Sequence, residues 1–137
     1  MYRFSERLAW IAGVLIPAGE TARRWGTWWD FPPAYLDDVL IGVFFIAGAI
    51  ASRRAEEAGP RWLAASYGFA CGIGFMSLAT NIVYIDRPDP TGASGLTAVV
   101  VKAVMMALGV AGLAGALRGR PGMSVRQRSG GLATTGR

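Results

Sequence analysis

Histidine is absent from the sequence, cysteine occurs once, at Cys71, and lysine once, at Lys102. Without histidine the chain lacks the commonest haem, zinc and copper ligand and the usual proton carrier near neutral pH. A single cysteine excludes an internal disulfide and a cysteine-cluster metal site. No serine has a histidine base to activate it, which removes the familiar nucleophile–base pairing. Charge is also sparse. Asp, Glu, Lys and Arg make up 17% of the 137 residues, against about 25% in soluble domains. What fills the space is apolar: 53% of the chain is hydrophobic, and it comes in long blocks. The length suits one domain.

Four such blocks predict four membrane spans, because crossing the hydrocarbon takes about 20 mostly apolar residues. The first covers about residues 7–28, around LAWIAGVLIPAG. Ser5 is its expected cap and Pro17 its expected kink. A basic start and a short apolar run are shared with secretory signal peptides. No small-x-small cleavage site follows, and Glu20 and Arg23 come at once, so an uncleaved helix is expected. The other spans cover about 34–52, 61–85 and 95–117, with Pro33 and Pro60 suited to first helical positions. Residues 118–137 hold Gly, Ser, Thr and Arg with almost no large apolar residue, which predicts a flexible tail. The expected fold is all-α: a transmembrane up-down bundle of four helices over 1–117, followed by that basic tail.

Arginine placement sets the expected orientation. Ten arginines and three acids fall on the side of the N-terminus, the 53–61 loop and the tail; three arginines and six acids fall on the other. Both termini are therefore expected in the cytoplasm, with the protein multi-pass in a bacterial-type inner (plasma) membrane. The same sorting accounts for the net charge of +5 without nucleic-acid binding, for which no recognition motif is present. The basic tail is expected to adhere to anionic lipid, at about 1 kcal/mol per Arg near the surface.

Within lipid, helices associate through small residues that permit close approach. Ala64, Gly68 and Gly72 recur every four residues in the third block, and Ala103, Ala107, Ala111 and Gly115 in the fourth. Gly68, Gly72, Ala107, Ala111 and Gly115 are the expected packing residues. Alanine and glycine are frequent enough here that the spacing alone does not establish a contact.

Polar residues inside or beside the spans are the candidate site. Lys102 lies eight residues past Ser94, about 12 Å along the fourth helix, and a charge in hydrocarbon costs at least about 2.5 kcal/mol. Ser77, Asn81 and Tyr84 share one face of the third helix. Asp38 falls on a stripe with Gly42, Phe45 and Ala49, while Asp37 points about 100° away. Glu20 precedes Arg23 and Arg24 in the favourable Glu-to-Arg order. The topology gathers Glu20, Arg23, Arg24, Asp38, Asn81, Tyr84 and Lys102 at the outer face as one polar pocket for a ligand or ion. A structural reading stands beside it. Acids near a helix N-terminus are favoured by the dipole, the Glu20–arginine pair suits a membrane boundary, and Trp25, Trp28, Trp29 and Tyr35 suit an aromatic belt.

Residues 19–23, GETAR, have the G-x-x-A-R core of CDP-alcohol phosphotransferases. That family's pattern also requires an Asp before the Gly and then a Gly and two Asp at fixed spacing. Ala18, Pro32, Leu36 and Leu40 stand at those places, and the chain is not identified as a member. GVAGLAG in the fourth block follows no strand and lacks the Lys-Ser/Thr ending of a phosphate loop. Asp37, Asp38, Asp86 and Asp89 have no spacing that supports a Mg²⁺ or Ca²⁺ site. No cofactor or metal is expected. The expectation is an accessory or interaction subunit of a membrane complex, oligomeric or bound to other membrane subunits, without catalysis of its own. A small transporter or ion-conducting protein built on Lys102 and Asp38 is the second reading. An enzyme acting on lipid headgroups through Asp37, Asp38 and Arg23 is the third.

Overall fold

Proline or glycine opens three of the four helices. The computed structural model describes residues 1–23, 25–26, 32–54, 58–87 and 94–118. Among these, every regular element is a helix: α1 (Tyr2–Arg23), α2 (Pro32–Arg54), α3 (Gly59–Val83) and α4 (Gly95–Leu117). Proline opens α2, and Pro60 sits in the first turn of α3, where its missing N–H has no helical partner to lose. Ser94 caps α4 by accepting a hydrogen bond from the Thr97 N–H at 3.2 Å. After α1, Gly26 takes a φ of +86°, a conformation that favours glycine.

The first helix departs from its expected bounds. It begins at Tyr2 and ends at Arg23, about five residues earlier at each end than the apolar block suggests. Ser5 is therefore no cap. It lies inside the helix, fully buried, and its hydroxyl turns back to the Met1 carbonyl. Charged Arg3, Glu6 and Arg7 are taken into the first two turns, because backbone hydrogen bonding does not depend on side-chain polarity. Three helices, α2, α3 and α4, are long and apolar enough to cross a membrane. α1 does not reach that hydropathy, since its end turns carry Arg3, Glu6, Arg7 and Glu20. The tail from residue 119 lies outside the described residues.

Successive helices pack antiparallel. Along α1 and α2, Thr21 meets Tyr35 and Glu6 meets Arg53. Along α2 and α3, Phe44 stacks on Phe69 at 4.6 Å and Gly59 abuts Ser52. Along α3 and α4, Lys102 meets Ser77 and Gly112 meets Tyr67. α1 closes back on α4 where Gly115 faces Ser5. Among the described residues α2 and α4 make no close backbone approach.

Tight packing gathers at the end that holds the chain's N-terminus. Tyr2, Ala9, Phe45, Ala49, Leu63, Tyr67 and Ala116 form the buried cluster there with Ile41. Tyr67 is its centre. The Tyr67 hydroxyl donates to the Ser5 carbonyl at 2.7 Å, and its ring meets Phe45 edge-on at 4.9 Å. Three Gly–Ser pairs bring the backbones close: Gly48 with Ser66, Gly59 with Ser52, and Gly115 with Ser5. Each serine is nearly or fully buried. Ser52 and Ser66 donate to their own helix at the Ala49 and Leu63 carbonyls, both at 2.8 Å. A buried hydroxyl satisfied within its own helix adds no unpaired polar group.

The small-residue stripes divide differently from expectation. Gly115 is buried, but Gly68, Gly72, Ala107 and Ala111 are exposed. A Cβ added at Gly68 or Gly72 would meet nothing within 4 Å. The α3–α4 contact instead runs through Gly112 against Tyr67, Gly109 against Cys71 and Gly74 against Met106. Helical phase explains this: the contact positions centre about 90° around α3 from its stripe and on the opposite side of α4 from its own.

Candidate functional site

The antiparallel register brings four helix ends together opposite the buried cluster: the C-terminal turns of α1 and α3 and the N-terminal turns of α2 and α4. Glu20 lies in the last turn of α1 and is only 8% exposed. Next to it, the Thr21 hydroxyl donates to the Pro17 carbonyl at 2.7 Å and lies 3.1 Å from the Tyr35 hydroxyl. That contact ties the end of α1 to the start of α2. Asp38 is half-buried one turn after Tyr35, and Asp37 is exposed. Neither Glu20 nor Asp38 is free of polar interaction.

The second hairpin carries its own cluster. The Lys102 ammonium donates to the Ser77 hydroxyl at 2.8 Å, and the Asn81 amide donates to the Ser77 carbonyl at 3.1 Å. Ser77 thus joins a cation on α4 to an amide on α3. Its position follows from helix period: Ser77 and Asn81 are one turn apart on the face that meets α4. Lys102 and Asn81 are both half-buried. Tyr84, by contrast, is exposed at the helix end, with the Arg87 guanidinium 4.8 Å above its ring. It belongs to the surface and not to the Lys102 cluster.

The expected pocket residues Glu20, Asp38, Asn81 and Lys102 lie at one end of the fold, and each has a polar interaction there. Glu20 and Asp38 belong to the α1–α2 hairpin, and Asn81 and Lys102 to the α3–α4 hairpin. Arg23 is the last residue of α1. Arg24 lies outside the described residues. Thr21 and Tyr35, which the polar-residue pattern passes over, form the described side-chain link between α1 and α2 here. Thr21 sits four residues after Pro17, the spacing at which a helix threonine bonds back to the backbone. That spacing was the available signal.

A cleft of about 450 Å³ opens beside this link, lined by Thr21, Trp25, Gly26 and Tyr35. Its volume falls within the range of about 300–1,000 Å³ typical of small-ligand sites. Trp25 is 83% exposed, so the cleft is a surface feature. Two hydroxyls and an indole can hydrogen-bond and stack, and they offer no charge of their own. Among the described residues no three acids or cysteines come together as a metal-binding group. Compared with known protein families, curated proteins and solved structures, the chain matches none.

Proposed function

We propose that this chain is a small multi-pass protein of the inner membrane, its four helices an up-down bundle with both termini in the cytoplasm. In this reading it works as an interaction subunit of a larger or oligomeric membrane assembly and has no catalysis of its own. The apolar length of α2, α3 and α4 supports membrane residence. Antiparallel packing on α2 supports α1 as the fourth member, and the arginine bias supports the orientation.

One observation carries the interaction role. Coverage within the chain falls from 33% of the apolar window in α2 to 17% in α3 and 6% in α4. What α4 leaves uncovered includes Ala103, Ala107 and Ala111. Alanines at four-residue spacing form a shallow trough that admits another helix closely. The test is purification of the tagged full-length protein in mild detergent after crosslinking in intact membranes. A stoichiometric partner, or a second copy, is expected. Ala107→Leu is expected to cut its recovery several-fold while the amount of inserted protein stays the same. A monodisperse monomer under both conditions overturns the reading.

The Lys102–Ser77 hydrogen bond favours a second reading, transport of a small ion. An ammonium held within a span costs at least about 2.5 kcal/mol, which a conduction role would justify. Here Lys102→Ala is expected to abolish flux in reconstituted vesicles without loss of insertion. Flux equal to that of the unaltered protein rules it out.

A further inference from the structure

We infer that the face of α3 nearest the arginine-rich end binds one anionic phospholipid, with its headgroup phosphate on Arg61 and an acyl chain along Ala65, Gly68 and Gly72. The inference rests on the membrane reading and goes beyond the interaction role. A shallow cavity of about 280 Å³ lies at the start of α3, lined by Ala58, Arg61, Trp62 and Ala65. Arg61 is exposed, and Trp62 is 57% exposed beside it. A guanidinium at a membrane boundary pairs with a phosphate in a forked geometry, and an indole prefers the same headgroup depth. The positive end of the α3 dipole adds to the attraction.

Charge at this end is unbalanced. Arg54 is exposed in the last turn of α2. Glu6, the one described carboxylate at this end, is already paired with Arg53, whose guanidinium also lies 5.3 Å over the Trp10 ring. Below the cavity, Ala65, Gly68 and Gly72 continue the Arg61 face, since spacings of three and four residues stay on one side of a helix. The two glycines have open space where a side chain would project. Eleven residues separate Arg61 from Gly72, about 16 Å at helical rise. That is close to half of a hydrocarbon core about 30 Å thick. The trough is therefore one leaflet deep and starts under a cation, which fits the charge and the chain length of one anionic phospholipid.

The test uses the full-length protein in mild detergent, titrated with phosphatidylglycerol or phosphatidylcholine and read by native mass spectrometry. Phosphatidylglycerol is expected to be retained at least fivefold more than phosphatidylcholine. Arg61→Gln is expected to lower that retention about fivefold, the effect of one arginine near a membrane surface. Arg61→Lys is expected to stay within about twofold. Gly68→Leu fills the trough without changing charge and is expected to reduce retention of either lipid. Equal retention of the two lipids, or no loss with Arg61→Gln, overturns the site. Displacement by millimolar inorganic phosphate overturns it in favour of a free-phosphate site. Loss of self-association in Gly68→Leu with lipid retention unchanged overturns it in favour of a helix. Release of the unaltered protein from membranes by carbonate would instead overturn the membrane reading, and the two failures are separable.

Discussion

Tyr67→Ala is expected to lower stability by about 3–5 kcal/mol, the range for removing a large buried aromatic. Tyr67 is 1% exposed, and three helices depend on it. Its hydroxyl holds α1 at the Ser5 carbonyl. Its ring meets Phe45 of α2 edge-on. The same ring fills the space beside Gly112 of α4. Truncation empties all three contacts at once, and glycine on the far side has no side chain with which to refill the space. The hydrogen bond is the smaller part. Tyr67→Phe keeps the ring and is expected to cost about 1 kcal/mol, in line with single hydrogen bonds in proteins and between membrane helices. Denaturant titration in detergent micelles, followed by circular dichroism, measures both. A loss under 1 kcal/mol for Tyr67→Ala would mean that the helix ends hold together without this residue.

The helices were legible in the sequence because apolar length and proline placement are local signals. Three of the four spans agree with α2, α3 and α4 to within a few residues at each end. The start of α1 was not legible. Arg3, Glu6 and Arg7 look like a flank, yet they continue the helix, since the burial of Tyr2 and Ser5 against α3 and α4 is a tertiary effect. The candidate site was half legible. Ser77, Asn81 and Lys102 could be aligned by helical period and antiparallel register, and Lys102 does reach Ser77. Which small residues pack was not legible, because spacing by four describes a face without saying which way it turns. Gly68 and Gly72 look outward, while Gly42 and Gly48, in a stretch crowded with large apolar residues, are buried. Thr21 and Tyr35 were hidden for a similar reason: their contact joins residues 14 apart across a turn.

Glycine substitution turns that last distinction into an experiment. At Gly42, an added Cβ would collide with the Pro17 ring and come within 2.8 Å of the Gly13 carbonyl oxygen. One obstacle is a rigid ring and the other is backbone, so neither can rotate away. α1 and α2 must then separate along the contact where Gly13 also meets Ile46. Gly42→Leu is therefore expected to cost about 3 kcal/mol, the upper end of the usual range for overpacking. Gly72→Leu adds the same side chain to a helix of similar length but meets open space. It is expected to be neutral, or to stabilise by up to about 1 kcal/mol through higher helix propensity. The comparison holds composition, hydrophobicity and helix interior constant, and changes only what stands opposite the glycine. Unfolding midpoints in the same micelle read the difference directly. Equal losses at the two positions would mean that Gly72 is also covered in the folded protein, and the most direct cover would be a partner helix on α3.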